Sequence, residues 1–124
     1  MPTNVSITAC AGHLRVNVAG DIRSIDDVIR FSAQYRAESK RLGLRRILLD
    51  YTQAHFHLDY HDLVELADYA AKQDFQLDGL RLVEVCTPAH LAQHRQYETI
   101  AANRSTAYLV FDNEEEALKQ LMAS

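Results

Sequence analysis

The chain has 124 residues, of which 48% are hydrophobic and 24% charged. That length is one domain able to bury a core of its own, and the composition is that of a globule folding in water. A formal net charge of −4 argues against a dedicated nucleic-acid surface, and no run approaches the roughly 18 apolar residues of a membrane span.

The two cysteines, Cys10 and Cys86, fall in separate predicted strands with no short spacing to pair them. Buried free thiols in a reducing cytoplasm are the expectation. The opening MPTNVSITAC has neither a basic start nor an apolar core, so no signal peptide is expected. Basic residues gather at Arg36, Lys40, Arg41, Arg45 and Arg46. Cations at a helix C-terminus complement its dipole, so a solvated helix end accounts for them.

In chain order, Val5, Ile7 and Ala9 alternate with polar residues or Cys10, and Leu14, Val16 and Val18 do the same after Ala11-Gly12-His13. Two period-2 runs around a glycine-containing loop predict an antiparallel hairpin, ending at Gly20-Asp21. Ser24 is the expected N-cap of a first helix, with Asp26 and Asp27 in its first turn. Ile25, Val28, Ile29, Ser32, Tyr35 and Leu42 form its apolar face, and Gly43 closes it. A third strand is expected at about 45–51.

A second helix, from Tyr60 to about Gln73, places Leu63, Leu66, Ala67, Ala70 and Ala71 on one face. Leu77-Asp78-Gly79 reads as a turn. A fourth strand over Leu80, Leu82, Val83, Val85 and Cys86 is interrupted by Glu84. Thr87-Pro88 opens a third helix, running to about Asn103. Its apolar face is thin, so partial exposure or a partner is expected for it. A fifth strand, Tyr108 to Phe111, precedes a last helix whose capping box is read as Asp112 with Glu115.

The order β-β-α-β-α-β-α-β-α predicts a single α/β domain over residues 1–124. It is a sandwich of four helices on a mixed, mainly parallel five-stranded sheet, with the first strand an antiparallel edge. Ile47-Leu48-Leu49 ends in Asp50 and leads into a polar, histidine-rich turn, as a buried parallel strand does before its crossover. In such sheets, sites form beyond the carboxyl ends of strands. The candidate partner- or ligand-binding residues are therefore Asp50, Thr52, His55, His57, Asp59, Tyr60, His61 and Asp62.

The chemistry legible in this stretch is sparse. His55-x-His57-x-Asp59 with His61 has the residue types of a zinc site. Compared with the HxHxDH run of metallo-β-lactamases it carries an extra residue, Tyr60, and lacks that fold's length and later ligands. His90 and His94 are spaced as in HExxH but without the glutamate. Neither GxSxG nor a glycine-rich phosphate loop is present, and Asp59/Asp62 read as helix-capping carboxylates. Tyr51, Phe56 and Tyr60 can edge a pocket or the core. No catalytic residue, metal or cofactor is assigned.

The hairpin, the Ile47–Asp50 strand and the helix after Asp59 resemble the STAS domain of bacterial anti-sigma-factor antagonists. The resemblance is most specific to the SpoIIAA-like (STAS/SEC14-type) branch, whose C-terminal pattern is similar to Tyr97–Arg104, Tyr108–Asp112 and Glu114–Leu118. In the antagonists a serine after an aspartate at the start of the second helix is the phosphorylated switch. Asp59 matches that aspartate, but Tyr60 stands at the serine, so the resemblance implies a domain without that switch.

It implies a non-catalytic interaction or regulatory domain in the bacterial cytoplasm, a homodimer, that presents residues 52–62 to another protein. The alternatives are a carrier of a small apolar ligand or lipid, with a cavity of several hundred cubic ångströms, and a metal-dependent enzyme using the His55–His61 region.

Overall fold

In the computed structural model, which describes residues 3–73, 79–104 and 108–123, β1 (Asn4–Cys10) and β2 (His13–Ile22) form the expected antiparallel hairpin. Gly12, at φ 80°, makes the tight turn because only glycine takes that conformation without a Cβ penalty. β2 does not stop at Gly20-Asp21. It runs on to Ile22 because β3 (Arg46–Phe56) supplies a parallel partner well past the predicted end at Tyr51.

The ladder shifts register between Asn17 and Ala19, then pairs Ala19 with Gln53 through to Ile22 with Phe56. The N–H of His57 donates to the Ile22 carbonyl at 2.8 Å. Ala54 and Leu58 are buried while Gln53, His55 and His57 face solvent. The stretch read as a histidine-rich turn is thus largely a strand with one wet face, and its polarity hides a period of two.

α1 (Ile25–Leu42) ends at Gly43, whose left-handed backbone (φ 68°) lets its N–H reach the Ser39 carbonyl, as a helix C-terminus requires. Ser24 sits at the N-cap without a side-chain bond; the Asp27 carboxylate instead accepts from the Arg23 N–H at 3.2 Å. Phe31 and Ser39 join the buried face, and Leu42 is exposed. α2 (Tyr60–Gln73) follows, then β4 (Arg81–Val85). Of the predicted turn at 77–79, Leu77 and Asp78 lie outside the described residues.

Pro88–His90 form a 3-10 turn before α3 (Leu91–Ala102). Thr87 does not cap it: its hydroxyl bonds the His90 ring nitrogen at 3.1 Å. α3 is partly exposed, as its thin apolar face predicts, and buries His94, Ile100 and Ala101 against the sheet and α2. β5 (Tyr108–Phe111) leads to α4 (Glu114–Met122), which Asn113 caps by accepting the Glu116 N–H at 3.0 Å. The N-cap is therefore one residue later than the predicted Asp112.

The sheet order is β1-β2-β3-β4-β5, parallel except for β1. β3 lies at its centre, with Ile47, Leu48 and Leu49 buried. Ile47, Leu49 and Tyr51 face a large cluster built with α1, α2 and α3. Leu48 faces the other way, into a small cluster with Val83, Val85, Ala117 and Leu121 that α4 covers.

Because α4 is the only helix against that face among the described residues, Leu121→Ala should lower the unfolding free energy by about 2–5 kcal/mol. Urea denaturation reads the loss, and Met122→Ala, on the exposed side, should change little. Burial leaves Cys86 1% exposed and pushes its thiol up to about 12. A chromogenic disulfide reagent at pH 8 should therefore label Cys10, which is partly exposed, and reach Cys86 only after unfolding.

Candidate functional site

The eight residues singled out from the sequence are divided among three places. Asp50 and Thr52 lie on the α4 side of the sheet. One Asp50 oxygen is 2.6 Å from the Arg15 guanidinium, and the other accepts from the Thr52 N–H (3.0 Å) and hydroxyl (2.6 Å). Arg15 also meets Glu114 at 2.5 Å, so this guanidinium ties β2, β3 and the start of α4 together.

His55 and His57 leave the same strand end but do not converge. The His55 ring packs edge-on against His90, with centroids 5.7 Å apart. His57 lies 2.9 Å from Asp21, and this contact holds the Asp21 carboxyl well below the usual carboxylate range. Asp59 and Asp62 form a reciprocal capping box: each side chain accepts the other's backbone N–H, at 2.8 and 3.0 Å. This rigid start of α2 leaves Tyr60 60% exposed, with His61 beside it in solvent. Among the described residues no three His, Cys, Asp or Glu side chains are grouped to hold one ion, so the spacing at 55–61 does not become a metal centre.

A different site, which sequence reading passed over, lies under the sheet. Leu82 and Glu84 in β4, and Cys86 just past its end, point toward α1–α3 while Val83 and Val85 point toward α4. The Glu84 carboxylate is thereby carried into the larger core, where it is 2% exposed. One of its oxygens accepts from the Tyr108 hydroxyl at 2.5 Å. The other stands 2.5 Å from His94 Nδ1, yet the approach lacks hydrogen-bond geometry and leaves that oxygen without a hydrogen bond.

His94, itself 7% exposed, is fixed by Phe56, edge-on at 4.9 Å, and by Tyr51 at 5.9 Å. The Gln93 side chain donates to the Phe56 carbonyl at 3.1 Å and pins α3 to the end of β3. Burial pushes the hydroxyls of Tyr35, Tyr51 and Tyr108 above their ordinary range and that of Tyr97 up to about 12. All four stay protonated at neutral pH.

Glu84, His94 and these tyrosines line a cavity of about 60 Å³. Half-buried Tyr69 on α2, with Gln93 and Tyr97 on α3, marks where it nears solvent. Of the predicted aromatic edge, Tyr51 and Phe56 belong to this cavity, with ring centroids 4.9 Å apart, and Tyr60 does not. The space is far short of the several hundred cubic ångströms a lipid carrier needs. It holds roughly four waters, or one molecule of similar size. Tyr108 and His94 thus hold the Glu84 carboxylate at the cavity wall. Cys86, one residue past the end of β4, offers no thiolate at neutral pH.

No protein-family model matches the chain, and no curated protein does. Among solved structures the chain is similar to an uncharacterized protein of the DUF3478 family, with a SpoIIAA-like fold, from Shewanella loihica PV-4. The TM-score is 0.56 at 13% identity, over 96% of this chain and 93% of that one. At that identity the likeness speaks for architecture alone: the chain has a SpoIIAA-like fold.

Proposed function

We propose that the chain is a non-catalytic regulatory domain that binds another protein through the face at residues 59–62. The observation that carries this reading is Tyr60, a large aromatic residue 60% exposed on a helix start locked by Asp59 and Asp62. A rigid, solvent-facing aromatic is what interface anchors use, because it offers contact area at little conformational entropy. The SpoIIAA-like fold and the resemblance to anti-sigma-factor antagonists support it, since in that family the start of this helix meets the partner. His61 extends the same surface.

A second reading is uptake of a small molecule. It is favoured by the cavity beneath the sheet, with its buried carboxylate.

The first reading is tested by pull-down from the source cell with the wild-type chain and with the double variant Tyr60→Ala/His61→Ala. Both side chains are exposed, so each change should cost less than about 0.5 kcal/mol of stability. Retention of any partner held by the wild type should fall at least tenfold. Equal retention by the variant defeats the reading.

A further inference from the structure

We propose, separately from the docking face at residues 59–62, that β1 is a self-association edge. Two copies of the chain join β1 to β1 about a two-fold axis through Ile7 and merge their five-stranded sheets into one. The sheet has two edges, and the fold treats them differently. β5 is four residues long, and Glu98 on α3 accepts the Val110 N–H at 2.6 Å, so a side chain occupies a main-chain donor there. β1 is seven residues long. Among the described strands it pairs with β2 alone, with no register shift, proline or charged residue along its length. Shortness, charges, prolines and bulges are what keep sheet edges from pairing, and β1 has none of these.

The phase of the hairpin ladder fixes which groups are open. Cys10 and His13 flank a two-residue turn and so form a hydrogen-bonded pair. Such pairs alternate with non-bonded ones along an antiparallel ladder. Asn4, Ser6, Thr8 and Cys10 therefore bond β2, and the N–H and C=O groups of Val5, Ile7 and Ala9 point outward. Among the described residues nothing bonds these outward groups. The three open positions are symmetric about Ile7. A second β1 laid antiparallel sets Ile7 opposite Ile7 and Val5 opposite Ala9, with each N–H at a C=O. The side chains match in the same register. Val5 and Ile7 already pack against the larger core, and on that face they gain Ala9 and Ile7 of the other copy. On the α4 face Ser6 meets Thr8 and Asn4 meets Cys10. Apolar pairs and hydroxyl pairs directly opposite one another stabilise a sheet, and no charge meets a like charge. One patch used by both copies is the arrangement of a closed two-fold dimer.

The experiment is sedimentation velocity of the full chain in the presence of a thiol reductant. One strand pair is a small interface, so the wild type should pass from monomer toward dimer between about 5 and 500 μM. Ser6 and Thr8 are exposed and face each other across the axis. Ser6→Glu/Thr8→Glu places like charges opposite and should weaken the dimer at least tenfold. Ser6→Lys/Thr8→Glu places unlike charges there and should dimerise at least as tightly as the wild type. Ala9→Pro removes an outward N–H that β2 does not use, as edge strands tolerate, and should also weaken the dimer at least tenfold. It decides the matter if circular dichroism shows that the double glutamate variant fails to fold. A wild type that stays monomeric over the whole range overturns the proposal. So does a dimer that survives either weakening variant, or a folded Ser6→Lys/Thr8→Glu chain that associates no better than those variants.

Discussion

A strand covered on both faces has no wet side on which to place a charge, and this constraint shapes the molecule. β3 and β4 are each hydrogen-bonded on both edges, packed on one face by α1–α3 and on the other by α4. Apolar side chains satisfy that demand at Ile47, Leu48, Leu49, Leu82, Val83 and Val85. Glu84 does not, and the surroundings are arranged around the exception: a tyrosine from β5 donates to it, a histidine from α3 closes on it, and space is left beside it. Buried charges are paired or they are costly, so a carboxylate retained at the centre of a core marks where a fold departs from packing alone.

The two faces of the sheet differ accordingly. The α4 side is a small, dry cluster whose polar rim is settled internally, with Arg15 bridging Asp50 and Glu114. The opposite side carries three helices, the aromatic residues and the incompletely bonded carboxylate. The protein surface at residues 59–62 is a third, separate feature, in which the capping carboxylates stiffen a turn and leave an aromatic ring outside. One scaffold thus carries both a cavity and a separate exposed aromatic turn. α2 joins them, since its first residue is Tyr60 and Leu63, Leu66 and Ala70 further along it line the cavity.

Much of this architecture was legible from local pattern. The order of elements, the hairpin and the buried ribbon at 47–49 follow from periodicity, and the helix stops at Gly43 and starts near Asp59 from capping chemistry. The misjudged region, 52–57, shows the limit of the method. Gln53, His55 and His57 look like a loop because loops are polar, yet their alternation with Ala54, Phe56 and Leu58 is that of a strand. Only the presence of β2 as a partner chooses between the two. The zinc-like spacing of the histidines stays incomplete for a related reason, because side chains two apart on a strand share a direction but need ligands from elsewhere to close a site.

By itself, then, the sequence determined the set of elements, their order and the apolar faces, because these depend on contacts within a few residues. The tertiary structure alone decided the site. Glu84 reads as an interruption of a strand, His94 as one member of an incomplete motif and Tyr108 as the first residue of β5. Their meeting depends on parallel pairing of β4 with β5 and on the docking of α3, interactions between residues distant in the chain that no local pattern encodes.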